Sequence, residues 1–362
     1  MIQRVKGTQD FIDLRLFNFF LDNSKKFLKI YNFKQIITPV LEPTELFKRT
    51  LGLETDVVSK EMYTVNSETE PDSICLRPEM TASTMRAFLN ESIETTPYKV
   101  FSHGPVFRHE RPQKGRFREF NQLNIEAIGT SSIFQDVLFI KMLDRFFSEN
   151  LKLDSYALTL NFLGCLNDRI KFRDKLYKFL TENSDKICAK CTERKEKNIM
   201  RVFDCKTESC QALYKTGPHI AQSLCKECDS EWKQLQENLQ NLSVSFSYNH
   251  ALVRGLDYYN KTVFEFSGTA LGAQNAFCGG GRYDTLATQI GAKQDYPSIG
   301  AAIGIERILI MLEAMKDKLS LEQEAALHVF IPLEDGQKEL ALLLSDELQA
   351  ANLCTEVFLD ND

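Results

Sequence analysis

The sequence predicts an α+β fold in which an antiparallel sheet is flanked by helices. The first observation is a hairpin pattern, because two apolar arms enclose the turn-like "RPQKGR" within residues 106–120. The second is the arm "EFNQLNIEAIG", in which polar and apolar residues alternate as they do in a strand. The third is the near-helical spacing of Phe17, Phe20, Phe27 and Tyr31, which predicts an amphipathic helix.

The N-terminal half is expected to alternate between helices and strands. Residues 10–31 form the amphipathic helix, and "FKQIITPVLEP" follows as a strand closed by prolines. The segment "ICLRPEMTASTMRAFLN" is a strand that turns at Pro78 into a helix. The hairpin comes next, and residues 134–150 form another helix.

The C-terminal half begins with residues 166–245, which are polar, rich in helical patterns and hold six of the ten cysteines. "HALVRGLDYYNKTVFEFSG" then returns to strand, and "FCGGGRYDTLATQI" is predicted as a glycine turn into a helix. "PSIGAAIGIERILIMLEAM" predicts a strand, a glycine and a helix. Residues 327–362 predict a β–α–β unit.

The hairpin concentrates positive charge in a chain whose net charge is −6. Its basic side chains are Arg108, Arg111, Lys114, Arg116 and Arg118. Arginines beside a glycine-containing loop suit a ligand with several phosphate oxygens, because guanidinium groups are planar donors that stay charged. The alternative is a solvated loop tip. An ordinary P-loop nucleotide fold is not expected, because the sequence has no Walker-type glycine loop.

The second arm of the hairpin has a polar face. Phe120, Gln122, Asn124 and Glu126 alternate with apolar residues, so they share one face of the strand. A row of Gln, Asn and Glu is not a core face. It is either exposed to solvent or the floor of a polar pocket.

Three further segments are candidate ligand sites. "GAAIGIERILIML" has glycines that would let a flat ligand approach the backbone and Arg307 early in a helix; the alternative is a buried helix with one surface arginine. "VRGLDYY" crowds Arg254 with Tyr258 and Tyr259, which could orient a polar substrate; the alternative is an aromatic corner at the start of a strand. The three glycines of "CGGGRYD" indicate either a close approach or a bare turn.

Together and in this order, these segments resemble the histidyl-tRNA synthetase family of class II aminoacyl-tRNA synthetases. "FRHERPQKGRFREFNQLNIE" resembles class II motif 2 in its histidyl form, "AIGIERILIML" resembles motif 3, and "IITPVLEPTELFKRTLG" resembles motif 1. "RGLDYY" and "GGRYD" are similar to two histidine-specific signatures. "LRPEMTA" is similar to the substrate segment, although Met80 stands where the family usually has glycine. The resemblance spans nearly the whole chain.

The resemblance implies that the hairpin holds ATP and the aminoacyl-adenylate. Arg108 would contact the α-phosphate and the substrate carboxylate, and Arg116 would reach the terminal phosphate. Glu110 would accept a hydrogen bond from the adenine amino group, and Phe120 and Arg307 would sandwich the adenine. Mg²⁺ would enter with ATP.

The resemblance also implies a histidine pocket on the polar strand face. Its residues by position are Glu79, Thr81, Gln122, Glu126, Arg254, Tyr258, Tyr259 and Tyr283. The first three would receive the α-amino group, Glu126 and Tyr259 would hold the imidazole nitrogens, and Tyr283 would close the pocket. Arg254 would offset charge at the α-phosphate as the carboxylate attacks, so Arg108 and Arg254 are the implied catalytic residues.

The implied organisation has three parts. Residues 1–165 and 246–325 would form a class II catalytic core, residues 166–245 a helical insertion, and residues 326–362 the start of a truncated anticodon-binding domain. The implied partners are histidine, ATP, tRNA-His and a second copy of the chain, with Pro39 at the homodimer interface.

Two other functions fit parts of the sequence. Synthetase-like regulatory subunits of ATP phosphoribosyltransferase share this core without charging tRNA. They tend to lose the ATP and histidine signatures, and because these are intact here, they argue against this alternative. They also tend to lose the C-terminal domain, and the short C-terminal part here favours it. A zinc-dependent nucleic-acid-binding module is disfavoured by the acidic balance. The resemblance therefore implies ATP-dependent ligation of histidine to tRNA-His.

The cysteines are expected to be thiols or metal ligands. The start "MIQRVKGTQDF" lacks the apolar core of a signal peptide, and no apolar run reaches the ~18 residues of a membrane span, so we expect a cytoplasmic protein. Cys188, Cys191, Cys225 and Cys228 form two CxxC pairs with two further cysteines between them. This spacing is typical of a tetrahedral Zn²⁺ site. The alternatives are free structural cysteines or a decayed site.

Overall fold

The computed structural model describes residues 2–65, 73–113, 115–272, 275–321 and 325–359. Lys114 of the basic hairpin lies outside the described residues. The chain divides into two compact units, Met1–Asp317 and Lys318–Asp362. No helix within the described ranges is long and apolar enough to cross a membrane.

The first unit combines helices with two sheets. Its helices are α1 (Arg15–Ile30), α2 (Thr44–Leu51), α3 (Thr81–Asn90), α4 (Ile133–Arg145), α5 (Leu166–Glu182), α6 (Ala189–Lys197), α7 (Glu208–Lys215), α8 (Lys226–Asn241), α9 (Leu286–Ile290) and α10 (Ile305–Glu313). Its strands are β1 (Lys34–Gln35), β2 (Leu41–Pro43), β3 (Tyr63–Val65), β4 (Ile74–Leu76), β5 (Tyr98–Phe107), β6 (Glu119–Ile128), β7 (Ala157–Phe162), β8 (Ser247–Tyr248), β9 (Asn260–Ser267), β10 (Ala276–Arg282) and β11 (Ser298–Gly304).

The larger sheet has the strand order β1-β5-β6-β11-β10-β9-β7-β8. The outer pairs β1–β5 and β7–β8 are parallel, and every pair between them is antiparallel. The smaller sheet has the order β2-β4-β3. The predicted α+β class, with an antiparallel sheet flanked by helices, is confirmed.

The second unit contains β12 (Leu327–Phe330), α11 (Lys338–Ala350) and β13 (Cys354–Val357). β12 and β13 pair in parallel, as the predicted β–α–β pattern requires.

The predicted hairpin is formed by β5 and β6, which pair from Tyr98 opposite Ile128 to Phe107 opposite Glu119. Both faces of β6 are buried toward its C-terminal end. Leu123 and Ile125 are fully buried on one face, and Asn124 and Glu126 are fully buried on the other. Of the two interpretations of the polar face, the structure supports the floor of a pocket.

The glycine run was predicted as a turn into a helix, with a close approach as the other interpretation; the turn is wrong, because the glycines lie inside β10. β10 lies between β9 and β11, and its surroundings leave no room for a side chain at Gly280 or Gly281. A Cβ at Gly280 would come within 2.7 Å of the Phe264 ring and overlap the carbonyl oxygen of Gly300. One at Gly281 would lie 2.5 Å from the carbonyl oxygen of Thr262. Close approach of neighbouring strands, rather than a turn, therefore requires the glycines.

The predicted single strand before α2 is instead two short strands, β1 and β2. The residues between them give their carbonyl groups to a buried arginine. Arg77 Nη1 donates to the carbonyl oxygens of Thr38, at 2.9 Å, and of Pro39, at 3.3 Å. Pro39 has no N–H to give to a sheet, so the strand is interrupted there.

A buried ion pair ties β10 to α4. Arg282 is 1% exposed, and its Nε donates to Asp136 Oδ2 at 3.1 Å, with a second, shorter contact from Nη2 to Oδ1. Nη1 donates to the carbonyl oxygen of Thr130 at 2.7 Å and to Asp284 at 3.2 Å. Each guanidinium nitrogen thus has an acceptor, which offsets the cost of burying the charge.

Replacing Arg282 with methionine should strongly destabilise the first unit. The substitution leaves the Asp136 carboxylate buried without its cation, a change that typically costs about 3–5 kcal/mol of unfolding free energy. The measurement is equilibrium unfolding in urea. The matched control is Arg145→Met, which removes an exposed ion pair with Glu149 and should cost ~1 kcal/mol or less. Equal losses for the two variants would contradict the assigned importance of the buried pair.

Candidate active site

A cavity of about 270 Å³ lies over the polar face of β6. Its walls come from the β5–β6 turn, the start of α3, the loop before β9, strand β10 and the start of α10. It is lined by most of the predicted residues, namely Glu79, Thr81, Arg108, Glu110, Arg116, Phe120, Gln122, Arg254, Tyr258, Tyr259 and Arg307. Segments far apart in the sequence are thus brought to one cavity.

Two predicted residues, Glu126 and Tyr283, are not among the described residues that line the cavity. Glu126 lies behind the wall and accepts a hydrogen bond from the Thr81 hydroxyl at 2.7 Å. The Tyr283 ring packs against Tyr258, with ring centroids 5.7 Å apart, and its hydroxyl donates to Glu126. Met80 is also buried outside the described lining, so its bulk packs in the core.

The Glu126 carboxylate is fully buried but well hydrogen-bonded. Besides Thr81 and Tyr283, the Asn124 amide donates to it at 2.9 Å. Burial raises the pKa of Glu126 to about 8, although its hydrogen bonds oppose the shift. Gly300 of β11 pairs with Glu126, and a Cβ there would overlap the carboxylate. Gly300, which was predicted to let a flat ligand approach the backbone, therefore leaves space for the Glu126 carboxylate instead.

Glu79 is held at the first turn of α3. Its carboxylate accepts hydrogen bonds from the backbone N–H groups of Thr81, at 2.7 Å, and Ala82, at 2.8 Å. The Tyr258 hydroxyl also donates to it at 3.4 Å. Burial raises the pKa of Glu79, and the backbone hydrogen bonds oppose this. The helix start thus fixes a carboxylate at the cavity wall.

Arg254 lies along the glycine strand. Its Nη1 donates to Glu265 Oε2 at 2.6 Å, and a Cβ at Gly279 would overlap its guanidinium. Burial tends to lower the pKa of Arg254, but Glu265 and nearby tyrosines outweigh it, and the pKa is raised. Gly279 and Glu265 therefore provide the space and the counter-charge for a cation in the cavity wall.

The turn end of the cavity is strongly cationic. The Arg108 guanidinium lies over the Phe120 ring, 5.5 Å from its centroid, and its Nε donates to the carbonyl oxygen of Pro78 at 2.9 Å. Arg307 Nε donates to the carbonyl oxygen of Gly115 at 2.9 Å, which ties α10 to the turn. Burial lowers the pKa of Arg307, and the charges of Arg116 and Arg108 lower it further. Guanidinium groups that repel one another in this way favour a polyanionic ligand.

Two acidic residues of the site were missed by sequence reasoning. Glu306 at the start of α10 accepts hydrogen bonds from the backbone N–H of Asn121, at 2.8 and 3.0 Å, and from its side-chain amide at 3.0 Å. Glu265 is the partner of Arg254. Glu306 directly precedes Arg307, a position that could have drawn attention to it. The pairing of Glu265 depends on strand neighbours, and the sequence contains no signal for it.

The four cysteines that were predicted to share one metal site lie in two separate clusters, so the prediction of a single site is wrong. The first cluster is Cys188, Cys191, Cys205 and Cys210; the second is Cys165, Asp168, Cys225 and Cys228. The chain after α6 returns Cys205 to within 3.8 Å of Cys188, measured between sulfur atoms. The second CxxC pair begins α8 beside the start of α5, where Asp168 accepts from the N–H of Cys225 at 2.9 Å. The two CxxC pairs thus have different neighbours.

Comparison with known proteins shows one family consistently. Residues 23–308 match the family model for histidyl-tRNA synthetase. The chain is 39% identical over 353 residues to the histidine–tRNA ligase of Sulfurimonas denitrificans, covering 95% of this chain and 87% of that protein. It is 42% identical over 323 residues to that of Campylobacter concisus, covering 88% and 78%. The crystal structure of apo histidyl-tRNA synthetase from S. aureus matches with a TM-score of 0.79 at 27% identity, covering 100% of this chain and 86% of that one.

The burial of Glu126 predicts a pH dependence of stability. Its folded pKa of about 8 lies above the usual 4.5, so between these values the unfolded chain ionises Glu126 while the folded chain keeps it protonated. The parent therefore loses stability as pH rises through this window, and Glu126→Gln does not. The unfolding free energy of the variant, relative to the parent, should rise with pH by up to ~1.4 kcal/mol per pH unit.

Urea unfolding at intervals from pH 5 to pH 8 provides the measurement. Glu149→Gln, at an exposed position, is the matched control and should show no such trend. A difference between Glu126→Gln and the parent that stays constant across this range would refute the assignment.

Proposed function

The chain belongs to the histidyl-tRNA synthetase family, and we propose that the cavity over β6 activates histidine with ATP and passes it to tRNA-His. In the first step the histidine carboxylate attacks the α-phosphorus of ATP, an O–P bond forms, and pyrophosphate leaves. In the second, a hydroxyl of the terminal adenosine of tRNA attacks the carbonyl carbon and AMP leaves. The observation that supports this best is one cavity lined by four arginines and by the Glu79 carboxylate, which the start of α3 holds through two backbone hydrogen bonds.

The turn end binds ATP. Arg108 contacts the α-phosphate and the substrate carboxylate, and Arg116 contacts the terminal phosphate. Arg116 is now ion-paired with Glu110, so each must turn to its ligand group when ATP binds. The adenine lies between Phe120 and Arg307, where a guanidinium plane can stack on the ring.

The β6 end binds histidine. Glu79 offers a carboxylate to the α-amino group, together with Thr81 and Gln122. Tyr259, which lines the cavity, holds one imidazole nitrogen, and Glu126, which lies behind the wall, must become accessible when histidine binds in order to hold the other. A ring with one donor and one acceptor is well discriminated here, because another side chain would leave buried polar groups unpaired.

Arg254 acts where charge builds up in the transition state. The attacking carboxylate is already ionised and requires no general base. The guanidinium, held by Glu265 at 2.6 Å, is preorganised to offset charge on the α-phosphate oxygens.

Membership of the family implies the use of ATP and Mg²⁺. Carboxylates near the cavity are engaged with protein groups, because Glu265 pairs with Arg254 and Glu306 accepts hydrogen bonds from Asn121. Mg²⁺ would therefore enter with ATP, and its charge would offset that of the phosphate oxygens. A structural zinc ion belongs to the cysteine-rich insertion and takes no part in the reaction.

The chain is proposed to have three parts. The catalytic core comprises residues 1–165 and 246–325, the insertion residues 166–245, and the anticodon-binding part begins at about residue 326. The protein works in the cytoplasm as a homodimer, with Pro39 at the interface.

The direct test is histidine-dependent exchange of pyrophosphate into ATP, followed by charging of tRNA-His. Both activities are expected. A regulatory subunit of ATP phosphoribosyltransferase would catalyse neither, so the absence of exchange would favour that alternative.

Arg254→Ala should lower the saturated rate of adenylate formation by ~10²–10³, with little change in histidine affinity, because one preorganised donor to the transition state is lost. Arg254→Lys should recover only part of the rate, because an ammonium cannot copy the planar fork. The measurement is single-turnover adenylate formation with histidine titrated. Arg254→Ala combined with Glu265→Gln controls for the carboxylate left unpaired. A large rise in the histidine requirement with the saturated rate intact would show that Arg254 acts in ground-state binding instead.

Glu126→Ala should weaken histidine binding by ~5- to 150-fold, because a polar group of the imidazole is left unpaired. Calorimetric titration with histidine measures this. Tyr283→Phe is the matched control, since it removes one hydrogen bond to Glu126 but keeps the carboxylate, and it should lose less. Equal affinity in parent and Glu126→Ala would exclude Glu126 from histidine recognition.

A further inference from the structure

We propose that Cys188, Cys191, Cys205 and Cys210 bind one Zn²⁺ ion. The ion holds in place the segment 192–204, which supports the active-site loop, residues 250–259. The sulfur atoms of the four residues all lie within 4.8 Å of one another, and three of the four residues are buried. They come from the start of α6, the loop after α6 and the first turn of α7. The inference rests on the proposed function only where it describes the loop as part of an active site.

The spacing of the sulfur atoms suits a tetrahedral ion. Zinc–sulfur bonds of about 2.3 Å place neighbouring sulfurs about 3.8 Å apart in a tetrahedron. The sulfurs of Cys188 and Cys205 are 3.8 Å apart, far beyond the ~2.0 Å of a disulfide bond.

Backbone amides point at these sulfurs. The N–H of Cys188 donates to the Cys210 sulfur at 3.2 Å, and the N–H of Thr207 donates to the Cys205 sulfur at 3.4 Å. Hydrogen bonds to sulfur stabilise the thiolate form, which is the form that binds a metal. Four thiolates in this arrangement favour zinc or iron, and zinc is the usual ion where the site is structural.

The second cysteine cluster also has a backbone amide on sulfur, since the N–H of Cys228 donates to the Cys225 sulfur at 3.5 Å, but its fourth group is the Asp168 carboxylate rather than a thiol. Asp168 Oδ1 accepts from the N–H of Cys225 at 2.9 Å, and Oδ2 accepts from the N–H of Cys165 at 3.3 Å. Its carboxylate therefore already joins the starts of α5 and α8 without an ion. One ion per chain is expected, at the four-cysteine cluster.

The four-cysteine cluster encloses residues that contact the active-site loop. Asn198 and Arg201 lie between Cys191 and Cys205 in the chain. The Asn198 amide donates to Asp257 Oδ2 at 2.8 Å, and Arg201 Nη2 donates to the carbonyl oxygen of Gly255 at 2.5 Å. Gly255 lines the cavity beside Arg254.

The same segment also shares a buried apolar cluster with the loop. Ile199 and Val202 belong to one buried cluster with Leu252, Tyr258 and Tyr259. α6 and α7 have nine and eight residues, so they bury little surface of their own. An ion that joins both ends of the segment therefore fixes the polar and apolar supports of the loop together.

Metal content tests the site independently of any activity. Elemental analysis of the full chain, purified without chelator, should give about one zinc per chain. Cys188→Ser combined with Cys205→Ser should reduce it to about zero, whereas Cys225→Ser and the exposed-site control Cys354→Ser should retain it. A parent with four freely reactive thiols and no metal, a parent that holds iron, or zinc lost equally from Cys225→Ser would overturn the assignment. The parent's own content decides the question even if the double variant does not fold.

Hydrogen–deuterium exchange of residues 250–259 tests the positioning role. Arg201→Met should keep its zinc yet speed exchange in this loop about fivefold, the change expected from the loss of one ordinary hydrogen bond. Zinc removal from the parent should speed it at least as much. Arg173→Met, at an exposed position of α5, is the control and should change neither. Unchanged loop exchange in both Arg201→Met and zinc-free protein would overturn the positioning role. If the parent failed to incorporate pyrophosphate into ATP in the presence of histidine, that result would count against the proposed function and not against the zinc site.

Discussion

The burial of one carboxylate, that of Glu126, constrains much of the architecture around the cavity. An ionisable group out of water is costly unless it is hydrogen-bonded or neutral, and here both conditions are met. Thr81, Asn124 and Tyr283 donate to it, and its pKa is raised to about 8. These donors come from α3, β6 and the residue after β10, so the relative positions of these elements determine whether the group is satisfied. Gly300 completes the arrangement, because any side chain there would occupy the space of the carboxylate.

At the opposite end of the cavity, protein acceptors position the arginines. Arginines are gathered from the β5–β6 turn, the loop before β9 and the start of α10, and each is held by a backbone carbonyl or a carboxylate. Arg254 depends on Glu265 for its charge and on Gly279 for its space. Arginines at one end and the held Glu79 carboxylate at the other match a substrate pair of which one member is polyanionic and the other carries an amino group. Preorganisation of this kind lets the groups act without rearranging at the moment of reaction.

Local patterns in the sequence predicted the elements whose structure depends on neighbours along the chain. The alternation around Gln122 and Glu126 predicted both the strand and its polar face, because side chains of a strand point alternately to two sides. The glycines near Gly280 were wrongly predicted as a turn. The contacts that require glycine are made with β9 and β11, and they exist only once the sheet has formed. The interruption of the strand at Pro39 has a local cause, the missing N–H, and a long-range one, the Arg77 guanidinium that takes the carbonyl groups of Thr38 and Pro39. The cysteine ligands were misassigned for the same cause, since CxxC spacing identifies pairs but not which pairs meet. The roles of the site residues were inferred from the resemblance to a family. The matching motifs identify the residues that face the ligand, but not the residues that hold them, such as Glu265.

We propose that the polar face of β6 recognises histidine while the adjoining arginines hold the nucleotide. A crystal structure of the chain with histidine and a non-reacting ATP analogue tests this most directly. The proposed binding mode predicts the imidazole within hydrogen-bonding distance of Glu126 and Tyr259, the adenine between Phe120 and Arg307, and the Arg254 guanidinium beside the α-phosphate. Histidine bound away from β6, or an α-phosphate out of reach of Arg254, would contradict it.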